Sequence, residues 1–575
     1  MNLPTLDWII IIAYLTASLI IGFYFSKRAL RSVDDYFVSG RVLPWWLAGM
    51  SMIASAFAID TPLGITGLVA QDGIPGVWYA WSFVLGGAGA LGAFIFASLL
   101  RRSEIITTAE LIELRYDGPS AAFLRGFKGV YFGIFANAVT LGWIIKAVWT
   151  ISAVVAPTID RHLLLAVILA ITLAYTAASG LWGIAATDLI QFFIGSVGSI
   201  ILAVFAWNYI GGMGNIVEGF VQRYGAGSAA ERLSFFPTVG TPFFVTFLVF
   251  ITLKWWGNPP PAITQRIISA KNEKHASFST MLFAVVAFGF NYWPMILVAM
   301  VSLIVYPDLE IPEAGYAMLI LKLLPSGLLG LMLASLMAAF MSTVDTHINF
   351  GAAYMVNDLY RRFIMKKASE KHYVRASQIS TVLMLLLAVV IAYNLDSVSD
   401  AWYYISMLTA GYGIVIVIRW FWWRVNAWAE IAALASSGVG STLLSPKFAR
   451  AVGYWDHIPH LDWQYRFLIV VVFCTVSWVV VCFLTKPTAE EHLKKFCAKV
   501  KPFPTLWGPI YKKNPELGWN LHFRRACLNW LLGAASVYCF CFGTGHLLFL
   551  NFAYGILLIA LAVVLATIIL IIWRK

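Results

Sequence analysis

The sequence predicts an all-α polytopic membrane protein, and three observations support that fold class. Hydrophobic residues make up 60% of the 575-residue chain. Charged residues make up only 12%, well below the share of about 25% in ordinary soluble domains. Apolar runs long enough to cross a bilayer, which takes roughly 20 residues, recur from Trp8 to Trp573. Because a soluble globule cannot bury so much apolar surface, we expect most of the chain to lie in lipid.

The apolar runs divide the chain into fifteen candidate transmembrane helices. The first run has no Lys or Arg before it and no small-residue cleavage site after it, so we expect it to remain as a helix. The fifteen runs cover residues 5–25, 44–71, 77–101, 119–156, 162–179, 181–211, 241–257, 277–306, 326–360, 374–395, 400–420, 425–445, 465–485, 526–547 and 550–573.

The net charge of +12 raises the question of nucleic-acid binding, but the positions of the charges indicate membrane topology. With the N-terminus outside, 31 of the 40 Lys and Arg residues fall in cytoplasmic segments. This skew follows the positive-inside rule. It predicts a multi-pass protein of the cell inner (plasma) membrane with its C-terminus in the cytoplasm. We expect the lipid bilayer to be its surroundings and expect no nucleic-acid partner and no obligate protein partner.

Five segments carry a resemblance to a known family. Asp35–Arg41 reads DYFVSGR, Gly183–Gln191 reads GIAATDLIQ, and Met341–Tyr360 reads MSTVDTHINFGAAYMVNDLY. Two shorter segments are Glu110-Leu111 with Arg115–Gly118, and Gln265-Arg266 with Ala270-Lys271. In their order and spacing they resemble the sodium:solute symporter family, which includes sodium/glucose and sodium/proline symporters. The resemblance covers about the first 445 residues.

The resemblance implies a leucine-transporter-like fold, in which two five-helix repeats enter the bilayer with opposite orientations. The implied function is sodium-coupled symport that imports a small polar organic solute by alternating access, with Na⁺ as the coupling ion. The implied organisation is a first helix and linker at 1–43, repeats at 44–211 and 241–424 around an extracellular loop at 212–240, helices 12 and 13 at 425–485, a basic cytoplasmic linker at 486–525, and a C-terminal helix pair at 526–575.

A break in the second helix marks the expected sodium site. Pro62 removes a backbone donor within an apolar run, so a broken helix with free carbonyls is expected there. The family motif implies that the carbonyls of Ala54 and Phe57 and, from helix 9, the carbonyl of Ala339 with the hydroxyls of Ser342 and Thr343 bind sodium. Positions 339, 342 and 343 share one helix face. The alternative is that both hydroxyls simply donate to carbonyls one turn earlier.

Two carboxylates in apolar helices, Asp188 and Asp345, need cationic partners. Family members with a second sodium site build it from an Asp in helix 6 and from helix 9 positions that here are Ser342, Asp345 and Thr346. A second sodium site is therefore one hypothesis. The other is that Asp345 pairs structurally with a cytoplasmic Arg or Lys.

The family holds its substrate at the helix break, where Asp60 and Thr61 lie. Asp60 is suited to a substrate ammonium or hydroxyl group, or alternatively to Lys146 of helix 4. The other polar candidates are Asn137, Asn291 and Tyr292, and Trp255 with Trp256 forms either a gate or part of an interfacial aromatic belt. The broken helix has Ala56 and Thr61 where sugar transporters of the family place an Asn–Gln-type pair, which argues against the familiar sugar contacts.

Three other functions compete with sodium symport. Proton coupling through Asp60, Asp188 and Asp345 is the nearest rival. A transporter-like sensor would need a cytoplasmic signalling domain, and the chain offers only the 486–525 linker. An enzyme would need a nucleophile–base or metal constellation; His162, His275 and His372 lie near no Cys or carboxylate cluster, and the six cysteines lack metal-type spacing. We therefore expect no enzymatic activity and no metal other than sodium.

Overall fold

The computed structural model describes residues 3–155, 160–393, 398–453, 461–518 and 522–574, and these residues are almost entirely helical. The described ranges contain no strand, only isolated bridges between Leu43 and Ala270 and between Trp422 and Leu506. The first group of helices is α1 Thr5–Ala29, α2 Val33–Val38, α3 Trp45–Ala56, α4 Thr61–Asp72, α5 Trp78–Trp81, α6 Ala97–Ser103, α7 Glu110–Arg115, α8 Gly118–Lys128 and α9 Asn137–Val155.

The remaining helices follow the same chain order, and several are joined without a loop by π-helical turns, as at Phe250–Lys254, Ala284–Phe288 and Tyr354–Ile364. The middle group is α10 Arg161–Ile210, α11 Met213–Tyr224, α12 Ala226–Arg232, α13 Pro242–Val249, α14 Pro261–Ser269, α15 Glu273–Phe283, α16 Tyr292–Val305, α17 Ala314–Leu323 and α18 Leu328–Ala353. The last group is α19 Glu370–Tyr393, α20 Val398–Ile418, α21 Ala427–Leu443, α22 Pro446–Val452, α23 Trp463–Leu484, α24 Glu490–Val500, α25 Gly508–Lys513, α26 Phe523–Leu548 and α27 Phe552–Arg574.

The helices confirm the predicted fold class. Each of the fifteen predicted runs contains helical residues. Within the described ranges, nine helices are long and apolar enough to cross a membrane, and α3 with α4 makes a tenth span if the bent pair counts as one. The predicted helix pair at 162–179 and 181–211 lies within the 50 residues of α10, which is longer than one bilayer crossing requires.

The two predicted helices inside α10 meet at a sharp bend, not at a loop. Gly180 has φ +50° and ψ −152° there, a backbone conformation that is open almost only to glycine. A Cβ at this position would lie 2.5 Å from the carbonyl oxygen of Tyr36. The bend therefore depends on Gly180 both for its dihedral angles and for the close approach of α2.

The predicted helix at 77–101 is wrong as a continuous helix, because its helical hydrogen bonding is interrupted at residues 85–89. A Cβ at Gly86 would lie 2.5 Å from the carbonyl oxygen of Trp255, and one at Gly87 would lie 2.5 Å from the carbonyl carbon of Asn258. The glycines thus allow close backbone contact with residues 255–258, which the apolar pattern of the sequence does not indicate.

At the centre of the bundle, α10 packs against α18, α1 and α3, and α15 packs against α3. The C-terminal part also docks onto this bundle. Trp530 Nε1 donates to the carbonyl of Leu85 at 2.8 Å, and Trp507 Nε1 donates to the carbonyl of Trp420 at 2.9 Å. Helix α27 packs along α26. The segments beyond the family resemblance are therefore part of one packed structure.

Replacing Gly180 with Ala should destabilise the protein, because a Cβ there requires a left-handed backbone and collides with Tyr36. The conformational term alone is about 1–3 kcal/mol. The melting temperature of the purified protein in detergent measures the effect. Gly438→Ala is the control, since it lies in α21 with no atom within 4 Å of its Cβ. Equal melting temperatures for the two variants would contradict this account of the bend.

Candidate functional site

The site is built around the break between α3 and α4. Helix α3 ends at Ala56, α4 begins at Thr61 with Pro62 in its first turn, and the two axes differ by 58°. At the end of α3, the amide of Phe57 donates to the carbonyl of Ala54 at 3.2 Å. The break predicted from Pro62 is therefore confirmed, and it opens the last turn of α3 to side chains from α18.

Hydroxyl groups of α18 contact these opened carbonyls. Ser342 Oγ lies 3.0 Å from the carbonyl oxygen of Ala54 and 3.1 Å from that of Ala339. Thr343 Oγ1 lies 3.5 Å from the carbonyl oxygen of Ser55 and 3.0 Å from that of Ala339. Both hydroxyls thus bond back within α18, as the alternative interpretation expects, and both also reach across to α3.

Four of the five predicted sodium ligands therefore lie together. Ala54, Ala339, Ser342 and Thr343 supply two carbonyls and two hydroxyls, and oxygen is the ligand type that a hard cation prefers. Phe57, the fifth, is the residue that directly follows α3. The hydroxyl protons can rotate away, because a Ser or Thr oxygen has two lone pairs for a cation.

The carboxylate of Asp188 lies beside this cluster and is fully buried. Its Oδ2 accepts hydrogen bonds from Ser51 Oγ at 2.5 Å and from the Arg266 guanidinium at 3.3 Å. Arg266, on α14, also donates from Nη2 to Thr346 Oγ1 at 2.6 Å. Asp188 therefore has a cationic partner from a segment that the sequence predicts to be a cytoplasmic loop.

Asp345 is also fully buried, and its Oδ2 accepts a hydrogen bond from the Tyr175 hydroxyl at 2.6 Å. Within the described ranges, Asp345 forms no direct ion pair with an Arg or Lys, so the alternative hypothesis of such a pair is not supported. In those ranges Oδ1 of Asp345 and Oδ1 of Asp188 are buried without a hydrogen-bond partner. Within the described ranges Arg266 thus pairs with Asp188 and not with Asp345, and each carboxylate keeps one buried oxygen without a hydrogen-bond partner.

The two parts of the site are connected through Ser55. Its carbonyl contacts Thr343, and its hydroxyl shares a hydrogen bond of 3.0 Å with Thr346 Oγ1. Thr346 in turn receives the hydrogen bond from Arg266. Ser55 of α3 therefore contacts a residue of each group of oxygens.

Helix α1, which lies outside the predicted repeats, also reaches the carboxylates. The hydroxyl of Tyr14 accepts a hydrogen bond from Gln191 Nε2 at 3.2 Å and lies 3.5 Å from the Met341 sulfur. Gln191 lies one turn after Asp188 in α10, and Met341 lies one turn before Asp345 in α18. The sequence gives no role to Tyr14 or Gln191, because neither polar group stands out before the packing of α1 on α10 is known.

Three of the predicted substrate residues gather at the break with Asp60. Asp60 is buried and Thr61 half-buried. Helix α16, whose first residue is Tyr292, packs on α4. Asn291 is the buried residue immediately before Tyr292.

The other predicted substrate residues lie on different elements. The side-chain oxygen of Asn137 accepts a hydrogen bond of 2.7 Å from the ring Nδ1 of His347, and the side-chain nitrogen of Asn137 donates at 2.8 Å to the backbone carbonyl of His347. Lys146 is half-buried on α9. It lies nine residues after Asn137 in the same helix, which corresponds to a rise of about 13 Å. Trp255 stacks on Trp256 with ring centroids 4.7 Å apart.

Trp255 also contacts the C-terminal part of the chain, since its ring lies 5.8 Å from that of Trp530 on α26. Its indole Nε1 donates to the carbonyl of Ile251 at 2.7 Å. The Trp255–Trp256 pair is therefore fixed by protein contacts on two sides.

At the end of the bundle where the predicted cytoplasmic loops meet, a polar cleft of 720 Å³ opens. The hydroxyls of Thr108 and Tyr354 share a hydrogen bond of 2.5 Å. The cleft is lined by Asp34, Arg41, Glu104, Ile106, Glu110, Arg125, Asn357, Arg361, Arg362, Lys366 and Lys499.

Ion pairs hold the wall of this cleft together. Arg125 bridges Asp358 and Glu113, each at 2.8 Å, and Arg362 adds a contact of 2.7 Å to Glu113. Although burial raises it, the hydrogen bonds from Arg362 and Arg125 hold the pKa of Glu113 below its usual range. Glu113 therefore keeps its charge at neutral pH, and these ion pairs tie the α7–α8 region to the segment after α18.

Comparisons with known proteins agree with this architecture. A family model described as the sodium:solute symporter family matches residues 36–440. The chain is 24% identical to sodium/glucose cotransporter 1 of Oryctolagus cuniculus over 560 residues, covering 85% of this chain and 80% of the relative. It is 26% identical to solute carrier family 5 member 4B of Mus musculus over 546 residues, covering 85% and 81%.

The fold also matches a solved structure, an outward-open, substrate-bound state of a Na⁺-coupled sialic acid symporter that reveals a novel Na⁺ site. The TM-score is 0.69 at 20% identity, with 85% of this chain and 100% of that chain covered. The family model covers most of the chain, including both halves of the helix-break site. The chain therefore belongs to the sodium:solute symporter family and is a sodium-coupled transporter, not an enzyme.

Proposed function

We propose that this symporter imports a small polar organic solute across the cell inner membrane, with sodium binding at the α3–α4 break as the driving event. The observation that carries the proposal is the meeting of Ala54, Ala339, Ser342 and Thr343. Their oxygens come from two helices that the proposed organisation assigns to different repeats, 44–211 and 241–424. Sodium bound between them would hold the repeats in one relative orientation, which is the requirement for alternating access.

The charge balance supports a second sodium site formed by Asp188, Ser342, Asp345 and Thr346. Two buried carboxylates with one guanidinium leave one formal negative charge. An unpaired charge at membrane depth costs at least about 2.5 kcal/mol, and a bound cation removes that cost. The buried oxygens without partners, Oδ1 of Asp188 and Oδ1 of Asp345, are suitable ligands.

Proton coupling is the second candidate, and a specific observation favours it at Asp345. Its partner within the described ranges is the neutral hydroxyl of Tyr175, so a proton on the free oxygen would neutralise the site as well as sodium would. The two functions differ in the ion that drives uptake at fixed pH and fixed membrane potential.

For the substrate we propose Asp60, Thr61, Asn291 and Tyr292 as contacts at the break, with Asn137, Lys146 and Trp255 on the surrounding helices. Asp60 is the group suited to a substrate ammonium or hydroxyl. The relatives named for glucose transport do not decide the solute, since one family can carry many chemistries on one fold.

The proposed orientation places the N-terminus outside and the C-terminus in the cytoplasm. A cysteine introduced at exposed Ser369 should resist a membrane-impermeant maleimide in intact cells, and one at exposed Gly227 in the 212–240 loop should react. Both should react after the membrane is permeabilised, in a background without the native cysteines. Reaction of the Ser369 cysteine from outside would reverse the assignment.

Ser342→Ala and Thr343→Ala should each raise the half-saturating sodium concentration for uptake by proteoliposomes. Each removes one oxygen from a small cation shell, and a contact to a charged group contributes about 1.5–3 kcal/mol, so we expect an increase of at least about tenfold. Ser302→Ala is the matched control, because its buried hydroxyl donates only to the carbonyl of Ala299 in its own helix. If all three variants activated at the wild-type sodium concentration, the site would be misassigned.

Asp188→Asn should lower the number of sodium ions transported per solute while solute exchange continues, because it removes one carboxylate from the second site. The stoichiometry is measured in proteoliposomes from the reversal potential. If Asp188 serves only to pair with Arg266, the ratio stays at the wild-type value, and the double variant Asp188→Arg with Arg266→Asp restores transport. An unchanged ratio with full accumulation would exclude Asp188 from coupling. Solute uptake driven by a proton gradient in the absence of sodium would favour proton coupling, the second candidate function.

A further inference from the structure

A segment that neither the sodium sites nor the proposed substrate contacts use covers the ends of α4 and α16 that lie away from the helix break. It consists of residues 213–236, which are α11, α12 and the turn that follows them, and it belongs to the loop predicted to face outside. We call residues 213–236 the outer segment. Helices α4 and α16 begin at Thr61 and Tyr292, so each begins at a proposed substrate contact.

The outer segment lies against the end of α4 by close backbone contact. The Arg232 guanidinium donates to the carbonyl of Ala70 at 3.1 Å. Gly73, the residue after α4, has φ +71°, and a Cβ there would lie 2.3 Å from the carbonyl oxygen of Arg232. The end of the helix that begins at the break is therefore covered by the backbone of the outer segment.

The outer segment also covers the end of α16. Helix α11 packs on α16, and its residues Ile216 and Phe220 are buried. The Arg223 guanidinium donates to the carbonyl of Leu303 and, at 2.5 Å, to the carbonyl of Pro307. One segment thus joins the ends of both helices that carry proposed substrate contacts.

The last part of the outer segment inserts the ring of Phe235 between α16 and the C-terminal helix α26. This ring lies 5.3 Å from that of Trp293 on α16. It lies 4.8 Å from the ring of His546 and 5.9 Å from that of Phe542, both on α26. Trp293 directly follows Tyr292, so Phe235 contacts the neighbour of a proposed substrate contact.

Helix α26 is held against the bundle by hydrogen bonds that do not involve the outer segment. The Tyr538 hydroxyl donates to the carbonyl of Trp81 at 3.0 Å, and Trp293 Nε1 donates to the carbonyl of Cys541 at 2.8 Å. The half-buried side chain of Phe235, by contrast, has no hydrogen-bonding group. Its release from α26 therefore costs ring contacts alone, while α26 stays in place.

We propose that the outer segment is a lid that lifts from α26 so that sodium and solute reach the break from outside, and that α26 is the surface that holds this lid closed. The inference rests on the proposed symport function and adds the regulation of access to its site. Alternating access requires a closed outer side while the inner side opens. The polar cleft of 720 Å³ opens at the end where the predicted cytoplasmic loops meet.

The accessibility of the covered face of α11 tests the proposal without sodium. Ile216 is fully buried, so Ile216→Cys, in a background without the native cysteines, should react slowly with a membrane-impermeant maleimide added outside. Adding Phe235→Ala should raise that rate at least about threefold, because it removes the aromatic pairs that hold the lid on α26. Equal rates with and without Phe235→Ala would overturn the proposal.

External sodium provides a second measurement, which is the charge moved in whole-cell recordings when external sodium is raised at fixed membrane potential. Phe235→Ala should lower the half-saturating external sodium concentration about threefold, because apparent affinity rises with the fraction of molecules that are open to the outside. A structural defect would not improve the affinity. An unchanged or raised half-saturating concentration would therefore contradict a lid.

A reversible bridge tests whether the lid has to move. Phe235→Cys and His546→Cys are combined in the background without native cysteines and joined with a short bifunctional methanethiosulfonate. The bridged protein should lose the charge movement induced by external sodium, and reduction should restore it. Each single variant, treated in the same way, should keep it. Full charge movement in the bridged protein would show that the outer segment is static.

Phe503→Ala is the matched control, because the buried ring of Phe503 packs at 5.1 Å on Phe523, at the opposite end of α26. It should leave the maleimide rate and the sodium dependence at wild-type values, and changes equal to those of Phe235→Ala would contradict the proposal. If sodium neither moves charge in the wild-type protein nor raises its melting temperature, the sodium site is wrong. The reaction rates of Ile216→Cys still decide the lid in that case.

Discussion

The structure depends on one constraint, which is that polar groups inside a membrane bundle must find partners within the protein or in a bound ion. The break between α3 and α4 removes helical hydrogen bonds from the turn that ends at Phe57. In lipid each unsatisfied carbonyl costs several kcal/mol. Hydroxyls from α18 meet this need at Ala54 and Ser55, and the same oxygens form the cation site. The hydroxyls that stabilise the broken helix are thus also the groups that would bind the cation.

The same constraint applied to charge distinguishes structural clusters from functional ones. Glu430 forms ion pairs with Lys128 at 2.8 Å and with Arg419 at 3.0 Å, and it accepts a hydrogen bond from the hydroxyl of Tyr116 at 2.7 Å. That cluster needs no further cation, and we infer that its role is structural. By contrast, the guanidinium of Arg266 pairs with Asp188, while Asp345 accepts a hydrogen bond from the neutral hydroxyl of Tyr175 and forms no ion pair within the described ranges. A transporter that is to bind and release cations requires a deficit of this kind, because a fully neutralised site has no affinity to modulate.

The sequence allowed the fold and part of the site to be predicted, and the limit has a physical cause. Local rules were sufficient at Pro62, which breaks a helix wherever it lies, and for the shared face of Ser342 and Thr343, which follows from helical spacing. They were insufficient for Arg266, because a residue in a polar loop gives no sign that it folds back to Asp188. Tyr175 was missed for a related reason, since one hydroxyl in an apolar helix has no partner until α10 packs on α18.

Coupling between ion and solute follows from how little backbone separates their sites. The carbonyls of the last turn of α3 form the negative end of one helix dipole, which favours a cation, and the first turn of α4 forms the positive end of another. Only Phe57–Asp60 lie between the two helices. A cation that fixes the end of α3 therefore also fixes the position of Asp60. Loss of the cation frees both helix ends, so the affinity for solute and the affinity for sodium must change together.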